Sequence, residues 1–302
     1  MALSASAPDT DNRRGIALML LAMAAFALED AAIKAMSDAY STAQVILVLG
    51  VGGAAVFWVL AVRAGASPIH RRALHPTVLI RCAAEAVAGF LFIRALALAP
   101  LATASAILQA APLALVAGGA LILGERVGWR RWSAVGAGFV GVLLILAPWS
   151  AGFDPALLLA VGATFALAAR DIVTRMVPRD IHSLQLSTWG YLALIPGGLV
   201  YLALGDAWRA VPAADLPLLA VLIFLGVVGY YAVTVSMRVG EVSVVAPFRY
   251  ARLVFAAVLG IALFGEHPAP LAWAGATLVI GSGLYAMVRE GRRPASAVMP
   301  PR

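Results

Sequence analysis

The sequence predicts an all-α membrane protein with ten transmembrane helices, which form two five-helix inverted repeats. Three observations indicate this class. First, 63% of the 302 residues are hydrophobic, only 12% are charged, and the mean hydropathy is +0.94. Second, apolar stretches of about 20 residues fill the chain, which is the helical length that crosses a bilayer core about 30 Å thick. Third, the two halves of the chain repeat the same uncommon residues at one fixed spacing.

The apolar stretches define the predicted helices, which are named α1 to α10 in chain order. Their approximate spans are 15–37, 42–63, 77–98, 100–123, 130–147, 155–177, 183–204, 216–237, 242–264 and 270–289. Residues 1–14 and 290–302 are polar and are predicted to form two cytoplasmic tails. The first apolar stretch is too long for a cleaved signal peptide, so we expect α1 to stay in the mature protein.

The net charge of +7 reflects the topology of the chain rather than a nucleic-acid partner. If the N-terminus is cytoplasmic, most arginines fall in cytoplasmic segments, and only Lys34, Arg94 and Arg209 lie on the opposite side. Such an arginine excess marks the cytoplasmic side of a membrane protein. Both termini are therefore predicted to be cytoplasmic. The high Ala, Arg and Gly content is typical of GC-rich bacteria, so we expect a multi-pass protein of the cell inner membrane.

A single offset of 141 residues aligns the two halves of the chain, residues 15–147 and 155–289. The matched residues are Asp30 with Asp171, Lys34 with Arg175, Gly124 with Gly265, Glu125 with Glu266, and Trp132 with Trp273. Because each half holds five helices, an odd number, the second half must cross the membrane in the opposite orientation. Inverted repeats of this kind are typical of secondary transporters, whose substrate site lies near the midplane between the repeats.

The segments around α4 and α9 share a motif. A Gly-Glu pair follows each helix, at Gly124-Glu125 and at Gly265-Glu266, and a glycine-bearing helix comes next. The stretch 95–106 reads Ala-Leu-Ala-Leu-Ala-Pro-Leu-Ala-Thr-Ala-Ser-Ala. Together these segments resemble the EamA repeat of the drug/metabolite transporter superfamily. We read the two glutamates as structural, because an acid placed before α5 and before α10 stabilises the N-terminus of a helix.

The resemblance covers roughly residues 15–289. It implies a ten-helix transporter, commonly an exporter of amino acids or other small metabolites. One departure from an exact repeat concerns proline. Pro112 in α4 has no counterpart in α9, where Leu253 stands, and α9 instead carries Pro247 earlier in the helix. We therefore expect the two halves to bend differently.

Three pairs of opposite charge stand four residues apart in the predicted helices, at the spacing where side chains of one helix meet. The pairs are Asp30 with Lys34, Arg81 with Glu85, and Asp171 with Arg175. One interpretation is that all three pairs neutralise themselves and only position the helices. Glu29 and Arg94 share the outer half of the membrane, so they are candidates for a further pair.

Arg170, Arg249 and Arg252 lack a nearby free acid and predict a positively charged inner cavity. A substrate carboxylate or phosphate would neutralise it, because a guanidinium binds planar anions through two parallel hydrogen bonds. The alternative is that Arg249 and Arg252 bind helix carbonyls or water, or reach toward the cytoplasm. We expect a central cavity bounded by α1, α3, α4, α6, α8 and α9. Its candidate substrate-binding residues are Arg252, Arg249, Gln109, Glu29, Trp189, Tyr230 and Tyr250.

The predicted function is secondary transport by alternating access, with no cofactor and no catalytic or metal-binding residue. Export of amino acids, aromatic or hydrophobic ones included, fits a cavity with arginine and aromatic side chains. Phosphorylated or nucleotide-like metabolites are the alternative substrates. A membrane-embedded enzyme is disfavoured, because the four histidines lie in loops or at helix ends and no nucleophile with a base lies at depth. The expected partners are a small-molecule substrate and the lipid bilayer, and the chain is either a monomer or a homodimer.

The predicted topology is testable with a reporter fused at Ser150, in the loop that follows α5. The reporter should read periplasmic, because five membrane crossings separate Ser150 from a cytoplasmic N-terminus. A cytoplasmic reading would contradict both the orientation and the inverted repeat.

Overall fold

The protein is known from a computed structural model, which describes residues 11–122, 124, 127–178 and 180–291. Ten helices within these ranges are long and apolar enough to cross a membrane, which confirms the predicted fold class. The helices are α1 Asn12–Met36, α2 Thr42–Arg63, α3 Pro76–Leu98, α4 Leu101–Ile122, α5 Trp129–Leu146, α6 Leu157–Thr174, α7 Ser183–Ala203, α8 Leu216–Val239, α9 Ala246–Phe264 and α10 Pro270–Gly291. Glu125 and most of the two predicted tails, residues 1–14 and 290–302, lie outside the described residues.

The ten helices run in alternating directions between two faces of the molecule. One face carries the start of α1, the connection of residues 64–75 and the end of α10, and is here called the arginine-rich face. The other carries the connection between the two halves, residues 147–156, and is called the linker face. Since α1 starts at the arginine-rich face and α6 starts at the linker face, the two five-helix halves are inverted relative to each other.

The fourth helix of each half is irregular, but in a different way. α4 is interrupted at Gln109 and Ala110. Pro112 explains the break, because it has no N–H to donate and its ring clashes with the carbonyl four residues earlier. α9 instead begins with a 3₁₀ turn, Ala246–Tyr250, which holds Pro247 in its first positions. The two halves therefore bend differently, as the unequal placement of proline predicts.

The halves interlock through pairs of helices that take one member from each half. α1 packs against α8, α3 against α6, α2 against α7 and α5 against α10. Where α5 meets α10, glycine allows a close approach of the backbones: a Cβ atom on Gly141 would lie 2.7 Å from the carbonyl oxygen of Gly275. Close packing of this kind holds helices together in lipid, where the hydrophobic effect contributes little.

Apolar packing and polar contacts between the halves close the linker face. Met36, Leu96 and Leu101 are fully buried near this face. Arg209, from the second half, donates through Nη1 to the carbonyl of Ala39 in the first half (2.8 Å). Within the part of the chain that the structure describes, these contacts leave no opening at the linker face.

Glu266 strengthens this closure by capping a helix of the opposite half. Its Oε1 accepts a hydrogen bond from the Leu101 N–H (2.6 Å) and its Oε2 accepts one from the Ala102 N–H (3.0 Å). These are the first two residues of α4, whose N–H groups have no acceptor within their own helix. Lys34 lies beside the same carboxylate, with its Nζ 3.6 Å from Oε1. Glu266 thus joins the second half to the first at the linker face.

The sequence predicts that Glu266 stabilises α10, and the structure corrects this to α4. The reason is a turn at the end of α9. Gly265 adopts a φ of +61°, a left-handed conformation that glycine accepts without a steric penalty. The chain therefore folds back, and the N–H of Glu266 donates to the carbonyl of Gly260 (3.0 Å). The side chain then lies next to the start of α4 rather than at its own helix.

Loss of this cap should destabilise the protein more than loss of a cap within one half. Glu266→Ala removes the acceptor of two N–H groups and a counter-charge of Lys34, and we expect a loss of about 1–2 kcal/mol in the free energy of unfolding. Asp154→Ala is the matched control, because Asp154 accepts one hydrogen bond, from the Ala156 N–H of its own half (2.9 Å). Unfolding in mixed detergent micelles measures both variants. Equal losses would contradict the role of Glu266 as a link between the halves.

Candidate functional site

A cavity of about 590 Å³ lies between the two halves. The six helices expected from the sequence line it, and α2 and α7 contribute as well. At one end its wall reaches the exposed residues Thr174 and Arg175, where α6 ends at the arginine-rich face. Toward the linker face its last lining residues are Ile33, Leu49 and Ile93, which are buried. The cavity is therefore open to the arginine-rich face and closed to the linker face.

The charges that line the cavity nearly balance. The four acids and five arginines are Glu29, Asp30, Glu85, Asp171, Arg81, Arg170, Arg175, Arg249 and Arg252. Arg175 lies at the exposed rim, so the interior of the described cavity holds four acids and four arginines. The prediction of a positively charged cavity is therefore wrong. It assigned Asp30 and Asp171 to pairs within their own helices, whereas both line the cavity together with the arginines.

Arg252 of the second half forms a bidentate ion pair with Asp30 of the first half. Its Nε lies 3.0 Å from one carboxylate oxygen of Asp30, and its Nη2 lies 2.8 Å from both. The rings of Phe26 and Phe92 flank the guanidinium, with centroids 5.1 and 5.6 Å from Cζ. Asp30 is only 3% exposed. A carboxylate buried this deeply needs such a partner, because water cannot solvate it.

The pairing of Asp30 with Lys34, expected from their spacing, is wrong. Asp30 faces Arg252 on α9, whereas Lys34 lies one turn further toward the linker face. There its Nζ donates to the carbonyl of Ala99 (2.7 Å) and approaches Glu266. Asp30 and Lys34 thus bind partners outside their own helix, at two different depths along α1.

A second network of ion pairs joins α3 to α6. Arg81 Nη1 lies 2.8 Å from Glu85 Oε2, which confirms the pair expected from their spacing. Arg170 donates through Nη1 to the other oxygen of Glu85 (2.9 Å), and through Nε and Nη2 to Asp171 (2.9 and 2.7 Å). Arg81 also donates to the hydroxyl of Tyr230 (3.0 Å). Arg170, for which the sequence offers no evident acid, is therefore doubly neutralised.

Two charged side chains of the cavity interior, Glu29 and Arg249, form no ion pair or side-chain hydrogen bond within the described residues. Arg94, the partner expected for Glu29, donates instead to the hydroxyl of Thr42 (2.9 Å) and lies over the ring of Tyr201. Glu29 and Arg249 are thus one acidic and one basic side chain that line the cavity without an ion-pair partner among the described residues.

Three further candidate residues, Gln109, Tyr230 and Tyr250, also line the cavity. Gln109 donates from Nε2 to the backbone carbonyl of Arg249 (3.0 Å), so it ties the break in α4 to the first turn of α9. The hydroxyl of Tyr250 lies directly against Gly283 of α10, where a side chain would leave it no room. A role of these residues in substrate binding stays a prediction.

Trp189 does not line the cavity, which corrects its place among the candidates. Its Nε1 donates to the carbonyl of Pro68 (2.9 Å), and its ring packs with Val78 and Cys82. A buried indole needs an acceptor for its N–H, and the connection before α3 supplies one. Tyr191, two residues further along α7, lines the cavity instead. The sequence did not single it out, because spacing alone does not tell which side of α7 faces inward.

The sequence pattern of the EamA-like transporter family matches residues 13–147 and again residues 154–288. The chain belongs to the EamA-like transporter family. This confirms the resemblance of the two halves to the EamA repeat. Family membership and the names of its relatives make the protein a transporter and not an enzyme.

Several relatives of this EamA-like transporter have named substrates. It is 32% identical over 204 residues to a riboflavin transporter of Rhizobium johnstonii, which covers 67% of each chain. It is 26% identical over 201 residues to an S-adenosylmethionine uptake transporter of Rickettsia prowazekii, which covers 67% of this chain and 68% of the relative. It is 27% identical over 272 residues to a pseudopaline exporter of Pseudomonas aeruginosa, which covers 89% of this chain and 94% of the relative.

A solved crystal structure supports the fold. It matches with a TM-score of 0.63 at 19% identity, over 93% of this chain and 98% of that chain. At this identity the likeness concerns the arrangement of the helices and does not extend to substrate.

The two adjacent acids of α1 should differ in their contribution to stability. Asp30→Asn leaves Arg252 with an uncompensated buried charge, and we expect a loss of about 3–5 kcal/mol in the free energy of unfolding. Glu29→Gln should leave stability close to that of the unmodified protein, because Glu29 has no ion pair to lose. Unfolding in mixed detergent micelles measures both. Equal effects of the two variants would contradict the assigned pairing.

A double variant separates the charge of Asp30 from its volume. Asp30→Leu combined with Arg252→Met removes both charges and keeps similar apolar bulk. It should regain most of the stability that Asp30→Asn loses, because replacing both members of a buried ion pair is far less costly than removing one.

Proposed function

We propose that this protein is a secondary transporter of the bacterial inner membrane that moves a small metabolite with a flat ring system by alternating access. The observation that carries the proposal is the cavity between the inverted halves, which is open at one face and closed at the other. Similar halves in opposite orientation provide a second state in which the faces exchange roles. Substrate would bind in one state and leave in the other.

We infer that the arginine-rich face is cytoplasmic. Arg63, Arg71 and Arg72 cluster around the connection between α2 and α3, and the linker face carries far fewer arginines. Positive residues are retained on the cytoplasmic side during membrane insertion. With this orientation the cavity of the described state opens to the cytoplasm, and the contacts of Glu266 seal the periplasmic side.

Aromatic side chains support a flat substrate. The ring of Tyr191 lies 5.5 Å from that of Phe57 and 6.3 Å from that of Tyr230, both within the range of favourable ring contacts. Tyr191 and Tyr230 also line the cavity, so a ligand there would contact both side chains. Riboflavin and S-adenosylmethionine, named for two of the relatives, each combine a flat heteroaromatic ring system with hydrogen-bonding groups. They are the first candidate substrates.

Export of amino acids is a second candidate function, and Glu29 with Arg249 favours it. An amino acid carries one ammonium and one carboxylate, and the cavity offers one unpaired acid and one unpaired base. Phosphorylated or nucleotide-like substrates are less well supported, because Arg170 and Arg252 are already neutralised by acids. A doubly charged phosphate would find little net positive charge in the cavity.

Uptake by proteoliposomes tests the substrate class, with labelled riboflavin, S-adenosylmethionine, an aromatic amino acid and a sugar phosphate, each with and without a pH gradient. We expect saturable uptake of at least one of the first three. Arg249→Gln should lower that uptake by about tenfold or more, because it removes a charged hydrogen-bond donor from the cavity wall. Arg72→Gln is the matched control, since Arg72 pairs with Asp180 outside the cavity and its loss should change little.

Two outcomes would contradict the proposal. Uptake of the sugar phosphate alone would favour the anionic alternative. If none of the other three compounds is transported, the proposed substrate classes are excluded.

A further inference from the structure

The two halves differ in charge at equivalent positions of the cavity. At the offset of 141 residues, Glu29 in α1 corresponds to Arg170 in α6, and Glu85 in α3 corresponds to Gly226 in α8. In each case one residue comes from the first half and the other from the second, and the two contacts are here called half-sites. In one half-site Arg170 of α6 forms an ion pair with Glu85 of α3, at 2.9 Å. In the other, Glu29 of α1 lies against Gly226 of α8. This second half-site therefore keeps an acid but lacks the side chain that would pair with it.

Gly226 lies directly against the free carboxylate. A Cβ atom added to Gly226 would lie 2.5 Å from Oε1 of Glu29 and 3.1 Å from the hydroxyl oxygen of Tyr191. The carboxyl group and the phenol thus fill the volume that a side chain at position 226 would occupy, and Glu29 and Tyr191 both line the cavity. Tyr230, one turn further along α8, completes an aromatic wall beside them.

The other charged groups around Glu29 are already engaged. Asp30, its neighbour in α1, binds Arg252 of α9. Arg81 of α3 binds Glu85 and the hydroxyl of Tyr230. No cation of the described residues is left within hydrogen-bond reach of Glu29. A free carboxylate this far inside a membrane protein is costly and points to a functional role.

We propose that Glu29 and Tyr191, which meet at Gly226 and line the cavity, form a subsite for a positively charged group of the transported molecule, an ammonium or a sulfonium. This inference rests on the proposed function and specifies the substrate class. The substrate supplies the cation that Arg170 supplies in the equivalent half-site. The faces of Tyr191 and Tyr230 add to the attraction, because aromatic rings bind cations through their negative faces. The rest of the substrate lies toward Arg249.

Tryptamine and tryptophol test the subsite, because they share an indole ring and differ in carrying an ammonium or a hydroxyl group. Binding to the full-length protein in detergent is measured by titration calorimetry. We expect the unmodified protein to bind tryptamine about tenfold more tightly than tryptophol, since hydrogen bonds to charged groups are stronger than neutral ones. Glu29→Gln should abolish this preference and leave the protein folded.

A second variant tests the close contact of Glu29 with Gly226. The added Cβ of Gly226→Ala lies too close to Glu29 for the carboxylate to keep its position, so the preference for tryptamine should fall about as far as in Glu29→Gln. Gly89→Ala is the matched control. Gly89 also lines the cavity, but its added Cβ would meet only the flexible end of Leu194, at 2.7 Å. This control should keep the preference.

Equal binding of the two probes by the unmodified protein would overturn the subsite, and so would a preference that persists in Glu29→Gln. Neither result bears on the proposed transport function, which is decided by uptake of riboflavin, S-adenosylmethionine or an aromatic amino acid. If none of the three compounds is taken up but the preference for tryptamine is intact, the proposed transport function fails and the subsite stands.

Discussion

The need to neutralise charge inside the membrane is the constraint on which the rest of this structure depends. Lipid cannot solvate an ion, so a carboxylate or a guanidinium at depth must find its partner within the protein. The pair of Asp30 with Arg252 joins the first helix to the ninth, and the pair of Glu85 with Arg170 joins the third helix to the sixth. Both pairs cross from one half to the other. The same contacts that neutralise the charges therefore determine how the halves meet, and they do so at the wall of the cavity.

The closure of one face follows from how α4 and α9 meet. Near the linker face the start of α4 is held by Glu266, which the turn at Gly265 places beyond the end of α9. Further toward the arginine-rich face the same two helices line the cavity with Gln109 and Arg249, and the Gln109 side chain donates to the backbone carbonyl of Arg249. A helix N-terminus offers N–H groups without partners, so a carboxylate from the other half can bind it without disturbing the membrane-spanning part of the helix. Such a contact is strong when made and requires no rearrangement of the core when broken, which suits a closure that must open during transport.

Much of the fold was predictable from the sequence, because the features that determine it are local. The length of an apolar stretch, the side on which arginines fall and the odd number of helices per repeat lead directly to ten helices in two inverted halves. Arg81 with Glu85 was predictable for the same reason, since both stand on one face of one helix. Asp30 with Arg252 was not, because 222 residues separate the partners and only the packing of α1 near α9 brings them together. Trp189 and Tyr191 show a related limit. Residues two apart lie on opposite sides of a helix, and the sequence of α7 does not say which side faces the cavity.

The duplication predicts the architecture of the cavity better than its chemistry, and the reason lies in the two tasks of a transporter. Alternating access needs two states of similar energy, and similar packing of the backbone in both halves provides them. Substrate recognition needs the opposite. Two identical half-sites would present the same charge to both sides of a small molecule that has no symmetry of its own. Arg170 and Glu85 neutralise each other in their half-site, whereas Glu29, which lies against Gly226, has no ion-pair partner among the described residues and faces the cavity. Both equivalent positions differ between the halves, Glu29 against Arg170 and Glu85 against Gly226, and this makes the two sides of the cavity different. The offset of 141 residues gives the equivalence, and the folded structure shows that the two positions of each half-site meet.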